Sequence, residues 1–290
     1  VQDQRPLDIE LLLTIIKDGR GFHLAGDTAQ SISQDSTFRF PVIKALFYEH
    51  FAAASASTNQ AQLARPTLFA LSKNYRSHQG ILALASLVME MLWNGFPQTV
   101  DKLQPEIGQL YGPKPILFVG CDSQVLLTKN VALVKISEQT ADFGAEQVIL
   151  VRDEDAKAKL QAEIGDVALV LTILQSKGME FDDVILWDFF SGCPNPAGLR
   201  RLGALVKGGS GDFDATKHAA MCSDLKHFYV AITRARIQLS MVESSESAAA
   251  PIIKLLTQDV SEPLVDVTRP QDSNVSIVSP QKGVRVRVPH

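Results

Sequence analysis

Cysteine is scarce in this chain. Only three occur in 290 residues, at Cys121, Cys193 and Cys222, with no Cys-x-x-Cys pair. A scattered, odd set excludes a disulfide scaffold and a clustered zinc site, and fits a reducing, intracellular setting. An excess of one charge is also lacking. The formal net charge is −4, so bulk electrostatics do not mark a nucleic-acid binder, and any such binding has to come from a local groove. No long apolar run exists either. The longest, Ile81 to Trp93, is interrupted by Glu90 and falls short of the ~18 residues a membrane span needs. A basic start followed by an apolar stretch, the mark of a signal peptide, is missing from the opening Val1 to Glu10. What is present is ordinary globular material, 46% hydrophobic and 21% charged. That excludes general disorder and gives one or two domains.

Elements alternate along the chain. Leu7 to Asp18 has helical apolar spacing and stops at Gly19 and Gly21. Phe22 to Ala25 reads as a short buried strand, and Val42 to Phe51 as a second helix. Ala52 to Gln62 is low in complexity and reads as a surface connection. Leu68 to Leu71 reads as a strand, and Ser77-His78-Gln79 opens a long apolar helix to about Trp93. Pro97 to Pro115 is irregular. Strands follow at Ile116 to Val119 and Ala145 to Arg152, then a polar helix from Asp153 to Ile164. Val167 to Leu174 is a continuous apolar run of the kind a central parallel strand carries. Val184 to Trp187 and Ile237 to Val242 read as further strands, with a helix from Asp224 to Ala235 between them. Ser191 to Asp214 reads as a mobile Gly- and Pro-rich insertion, Glu243 to Ala250 as linker, and Val284 to Val288 as an edge strand or a tail. Strands alternating with helices predict an α/β domain with a mostly parallel sheet.

Four segments carry chemistry. They are Gly26-Asp27-Thr28-Ala29-Gln30-Ser31-Ile32, Asn74-Tyr75-Arg76-Ser77, Gln175-Ser176-Lys177-Gly178-Met179-Glu180-Phe181-Asp182-Asp183, and Tyr229-Val230-Ala231-Ile232-Thr233-Arg234-Ala235-Arg236. In open parallel sheets, ligands gather at the carboxyl ends of strands, which is where we expect such segments. Each has a plainer reading alone. Gly26-Asp27 reads as a simple turn, Arg76 as the partner of a surface carboxylate, Glu180 and Asp182 as a solvated loop, and Arg234 and Arg236 as exposed helix charges. Together they supply separated arginines, a glutamine, and a carboxylate with an aromatic. That set suits a nucleoside triphosphate cleft, because arginine matches phosphate oxygens bidentately and glutamine orients water or senses a terminal phosphate.

In this order the four segments resemble motifs III, IV, V and VI of superfamily 1 helicases of the UvrD/Rep type. Phe38-Arg39-Phe40 and Glu180 to Val184 further resemble the UvrD-like sub-family that carries TPR and ankyrin repeats. The resemblance implies a RecA-like, P-loop-NTPase-type sheet. Residues 1–70 would be the tail of a first RecA-like domain, 71–250 the second, and 251–290 a C-terminal extension that either folds or stays disordered. It implies an ATP-dependent helicase or translocase using ATP with Mg²⁺ and acting on single-stranded or duplex nucleic acid. Gln30 would sense the terminal phosphate, with Arg76 and Arg234 touching the γ-phosphate. Gln2, Tyr75, Gly178 and Glu180 would bind the nucleotide, Tyr75 by stacking on the base and Glu180 by holding the ribose. Phe38 would stack on bases, and Thr172 would lie near the nucleic-acid backbone.

Three departures stand out. Leu174 occupies a position where the family commonly has His. Motif II of the family reads Asp-Glu-x-Gln-Asp, and here Val1-Gln2-Asp3 stands at its distance from motif III. No Gly-Lys dipeptide, the core of a phosphate loop, occurs. The expectation is a fragment that cannot turn over ATP alone and needs an N-terminal helicase half. The alternative is a non-catalytic remnant that binds nucleic acid or protein. Plainer roles stay open for Tyr75 as a core residue, for Phe38 and Phe40 as packing residues, and for His78 and His227 on helix surfaces. Gly208 to Asp212 falls one glycine short of a hydrolase nucleophile elbow.

Overall fold

The computed structural model describes residues 2–16, 22–33, 39–52, 67–123, 146–206 and 217–269. Val1, Gly19, Gly21, Phe38, nearly all of the low-complexity stretch, the Gly208 to Asp212 segment and Val284 to Val288 lie outside them. Among the described residues, six strands form one parallel sheet in the order β5-β4-β6-β7-β3-β8. They are β3 (Ile116–Val119), β4 (Gln147–Val151), β5 (Val170–Thr172), β6 (Phe181–Trp187), β7 (Ala235–Glu243) and β8 (Asp266–Thr268). A separate parallel pair joins β1 (Lys73–Asn74) to β2 (Ile107–Gly108).

Both faces of the sheet are buried, and strand alternation divides them. Val148 and Leu150 of β4, with Val184 and Leu186 of β6, face one apolar cluster. Ile149 and Val151, with Ile185 and Trp187, face the other. The first cluster is covered by α3 (Gln79–Gly95). The second is covered by α4 (Glu154–Ile164), through Leu160 and Ile164. Asp153 caps α4 by accepting from the Ala156 N–H at 2.9 Å, which satisfies an amide the helix itself cannot. A third cluster is local. Ile9 and Leu13 of α1 (Pro6–Ile15) meet Ile43 and Phe47 of α2 (Phe40–Phe47).

Several elements differ from the sequence reading. Residues 22–25 form no strand; Phe22 and Leu24 spend their apolar surface on the α1–α2 cluster instead. Residues 68–71 form no strand either, and Phe69 and Leu71 are 81% and 91% exposed. The run Val167 to Leu174 yields only three strand residues at the sheet edge. A continuous apolar run reports burial on two faces, not rank in the strand order. Two short helices, α5 (Pro196–Leu199) and α6 (Leu202–Val206), stand in the expected mobile insertion. Leu199, Leu202 and Leu205 anchor them in the first cluster.

After α7 (Ala219–Ile232), β7 extends through Glu243, and α8 (Glu246–Thr257) begins where a linker was expected. Helix α8 crosses residue 250 and buries Ile252, Leu255 and Leu256, and β8 then joins the sheet beside β3. His78 is buried, not on a helix surface. Its Nδ1 accepts from the Gly80 N–H at 3.1 Å as the cap of α3, and its Nε2 meets the Ile237 carbonyl at 2.9 Å. Burial lowers its pKa, so it sits there neutral. His227 is half-buried on α7. Gly80 is required by close approach, since a Cβ there would stand 2.1 Å from the Pro113 carbonyl oxygen. No helix among the described residues is long and apolar enough to cross a membrane.

Candidate functional site

The turn at Gly26 to Gln30 is set by Asp27. One carboxylate oxygen accepts from the Ala29 N–H at 2.9 Å, capping the short 3₁₀ turn Thr28–Gln30. The other accepts from the Gln30 side-chain Nε2 at 2.9 Å. That leaves the Gln30 Oε1, which receives Arg234 Nη2 at 3.2 Å. A carboxylate only accepts and a guanidinium only donates, so the two neighbours fix which way the amide points.

Arg234 follows α7 directly and is 1% exposed. Its Nε donates to the Val230 carbonyl at 3.0 Å, and its Nη1 to the Met179 carbonyl at 3.0 Å. Its Nη2 also reaches Thr233 Oγ1 at 3.3 Å. All of these acceptors are neutral. Burial, with Arg76 nearby, lowers its pKa to about 10, so it stays charged at neutral pH. Such a cation has its hydrogen bonds and, among the described residues, no carboxylate bonded to it, and charge of this kind suits an arriving anion.

Asn74 shapes the next turn. Its Oδ1 accepts from the N–H groups of Arg76 and Ser77, each at 2.9 Å. Ser77 Oγ then donates to the Ala235 carbonyl at 2.6 Å, fastening the turn to the start of β7. Tyr75 is left 77% exposed at its apex, which rules out the core reading. Arg76 leans back onto Glu180, Nε to Oε2 at 2.7 Å, and its Nη1 reaches the Thr233 carbonyl at 3.5 Å. The plainer reading of Arg76, a surface carboxylate pair, therefore describes this state of the molecule. Arg234 is the opposite of the exposed helix charge its plainer reading expects.

Gly178 has φ +82. The left-handed conformation ends the tight crossover from β5 to β6 and presents the Met179 carbonyl to Arg234. Thr172 sits at the far end of that crossover and is 4% exposed. It closes the turn on Gln175, N–H to Oε1 at 3.1 Å and Oγ1 from the Gln175 N–H at 3.1 Å. Leu174, beside it, is half exposed. Gln2 is half-buried, and its neighbour Asp3 pairs with Lys177 and accepts from Ser33 Oγ at 2.8 Å.

Gln30, Arg76, Glu180 and Arg234 are thus brought together, with Tyr75 and Gly178 adjoining, while Thr172 lies apart. Phe38 is outside the described residues; its neighbour Arg39 pairs with Asp101 at 3.2 Å. Phe40 packs against the α1–α2 cluster, as its plainer reading has it. An apolar groove of about 1310 Å³ between α2 and α3 includes Asp27 and Gln30 in its wall. One expectation is corrected. Glu180, Arg234 and Arg236 stand at the amino ends of β6 and β7, not at carboxyl ends. The crossovers carry them there, because Glu180 and Arg234 each immediately precede a strand and Arg236 is the second residue of β7. Sequence reasoning gave no role to Asp27, Asp101 or the Met179 carbonyl. Asp27 had a signal, a carboxylate two residues before an amide it could cap. A backbone carbonyl has none.

Residues 130–246 match the UvrD-like helicase C-terminal domain. The match takes in Glu180 and Arg234 but not Gln30 or Arg76. Over 282 residues the chain is 36% identical to the human TPR and ankyrin repeat-containing protein 1. That similarity takes in 88% of this chain and spans 9% of the length of that relative. Among solved structures, the C-terminal domain of a possible DNA helicase from Lactobacillus plantarum WCFS1 is similar at 15% identity and a TM-score of 0.33. The similarity covers 67% of this chain and 98% of that one.

Proposed function

We propose that the chain is the second half of an ATP-driven helicase or translocase, and that Arg234 and Arg76 are its γ-phosphate arginines. The observation that carries this is the Arg234–Gln30 contact at 3.2 Å, which joins segments 204 residues apart around a buried cation that has no bonded carboxylate among the described residues. In this reading Gln30 reports the phosphate to the rest of the chain, Tyr75 stacks on the base, and Glu180 takes the ribose hydroxyls. Gln2 and Gly178 border the nucleotide. Arg76 leaves Glu180 when phosphate arrives. Arginines in this role are worth ~10³ to 10⁵ in rate. Phe38 and Thr172 belong to the nucleic-acid track, and the setting is intracellular.

The donor set fits a nucleotide's phosphates. Among the described residues no group of three or more His, Cys, Asp or Glu could hold Mg²⁺. The phosphate loop and metal carboxylates would come from a first helicase half outside these residues, and the chain alone would not turn over ATP. The test is nucleic-acid-stimulated ATP turnover by the natural polypeptide that carries these residues, against Arg234→Ala. Loss of turnover supports the reading, and unchanged turnover overturns it. Turnover by the 290-residue chain alone, abolished by Arg234→Ala, would overturn the two-half part.

A second reading, a non-catalytic module that binds nucleic acid or protein, is favoured by one observation. Arg234 is 1% exposed and already bonded within the chain. ATP turnover that depends on Arg234 would exclude it.

A further inference from the structure

Glu180 stands between two arginines. Arg76 Nε holds Oε2 at 2.7 Å, and Arg236 Nη1 lies 3.8 Å from Oε1. On its other side, Arg236 Nε lies 3.4 Å from Asp182 Oδ1, an ion pair without a hydrogen bond. The strand ladder explains why Arg236 points this way. Phe181 pairs with Ala235, but Asp183 pairs with Gln238, so Arg236 and Ile237 together stand opposite Asp182. An extra residue in one strand re-aims the side chains at that point. Here it turns the Arg236 guanidinium toward Glu180 and Asp182, while the Ile237 carbonyl meets His78.

Arg76 cannot hold Glu180 and grip a phosphate with the same face of its guanidinium. We propose that Arg236 is a positioning residue that keeps the Glu180 carboxylate aimed at the nucleotide's ribose once Arg76 has turned to phosphate. This rests on the reading of Glu180 as the ribose contact. Arg76 and Arg236 then have distinct tasks. Arg76 switches partners as the site fills. Arg236, paired with Asp182 on its other side, does not, and it preserves discrimination between ribonucleotides and deoxyribonucleotides.

The test is ligand-observed NMR titration of the natural polypeptide that carries these residues with ATP and with 2′-deoxy-ATP, a method that reads weak binding. The unmodified chain should prefer ATP by about twofold to fivefold, the upper part of the range a single partly exposed charged contact supplies. Glu180→Gln should abolish that preference. Arg236→Ala should abolish it too, with the melting temperature unchanged, and Arg236→Lys should restore part of it. Arg236→Gln, which keeps most of the stem, takes the place of the alanine variant if that variant melts early. Should Glu180→Gln abolish the preference while Arg236→Ala and Arg236→Gln keep it, the role of Arg236 is overturned and the ribose reading stands. Should Glu180→Gln keep the preference, or the unmodified chain show none or bind neither nucleotide, the ribose reading fails and takes this proposal with it.

Discussion

The two edges of the sheet both hold charged side chains, but they use them differently. At the carboxyl edge, Glu243 ends β7 and accepts from the backbone N–H groups of Phe190 at 3.0 Å and Ser191 at 2.7 Å. Asp188, next to it, accepts from the Ser244 N–H and hydroxyl at 2.6 and 2.8 Å. These carboxylates tie loops to strands. Arg152 there pairs with Asp224 and lies 4.3 Å above the Phe189 ring. At the amino edge, Arg234 rests on carbonyls and an amide, and Arg76 rests on a Glu180 that is nearly half exposed. A charge that fastens backbone is spent on the fold. A charge lodged on neutral acceptors, or on a partner it can leave, remains usable by a ligand.

The comparison can be broken by substitutions at either edge. The largest effect is expected at Arg234. Arg234→Lys keeps the charge but loses the fork, and should lower nucleic-acid-stimulated ATP turnover of the natural polypeptide by ~10³-fold. Steady-state kinetics check this; a change under tenfold would place Arg234 with the structural charges of the other edge.

Glu243 comes next. Burial raises its pKa to about 7 from the usual 4.5, against the lowering effect of its N–H partners, with Asp188 adding to the rise. The folded chain therefore holds a proton that the unfolded chain releases near pH 4.5. Stability should fall by up to about 3 kcal/mol as pH rises from 4.5 to 7. Urea melts across that range should show the slope, and Glu243→Gln should flatten it.

Gly178→Ala should cost about 1–2 kcal/mol from its left-handed backbone. A Cβ there meets nothing within 4 Å, so strain alone is being read. Thermal melting checks it. The smallest change in stability is expected at Tyr75→Ala, within about 0.5 kcal/mol because the ring is exposed. The same variant should weaken ATP binding measurably by titration. A melting shift without a binding change would make Tyr75 a packing residue.

The parallel α/β class was legible because buried strands write continuous runs, as Val184 to Trp187 does, and because α3 and α4 open at recognisable caps. Strand order was not. The Val167 to Leu174 run looks central but lies at an edge, since burial on two faces can come from helices and loops as well as from flanking strands. The linker-like 243–250 stretch hid a buried carboxylate and a helix start, because a polar residue satisfied by backbone amides looks solvated in sequence. For the site, Gln30, Arg76, Glu180 and Arg234 could be named from their segments. That they meet, that Arg76 is paired with Glu180, and that they lie at amino ends required the crossovers to be seen.

The most direct test compares the two edges in one sample. Arginine Nε–H resonances of the 290-residue chain can be followed by NMR while ATP is added. Arg152 serves as the reference, with Nη2 bound to Asp224 and Nη1 buried without a hydrogen-bond partner among the described residues. The account predicts that Arg234 and Arg76 shift with a common saturation curve while Arg152 stays in place. Movement of Arg152 with Arg234 and Arg76 unmoved would contradict it.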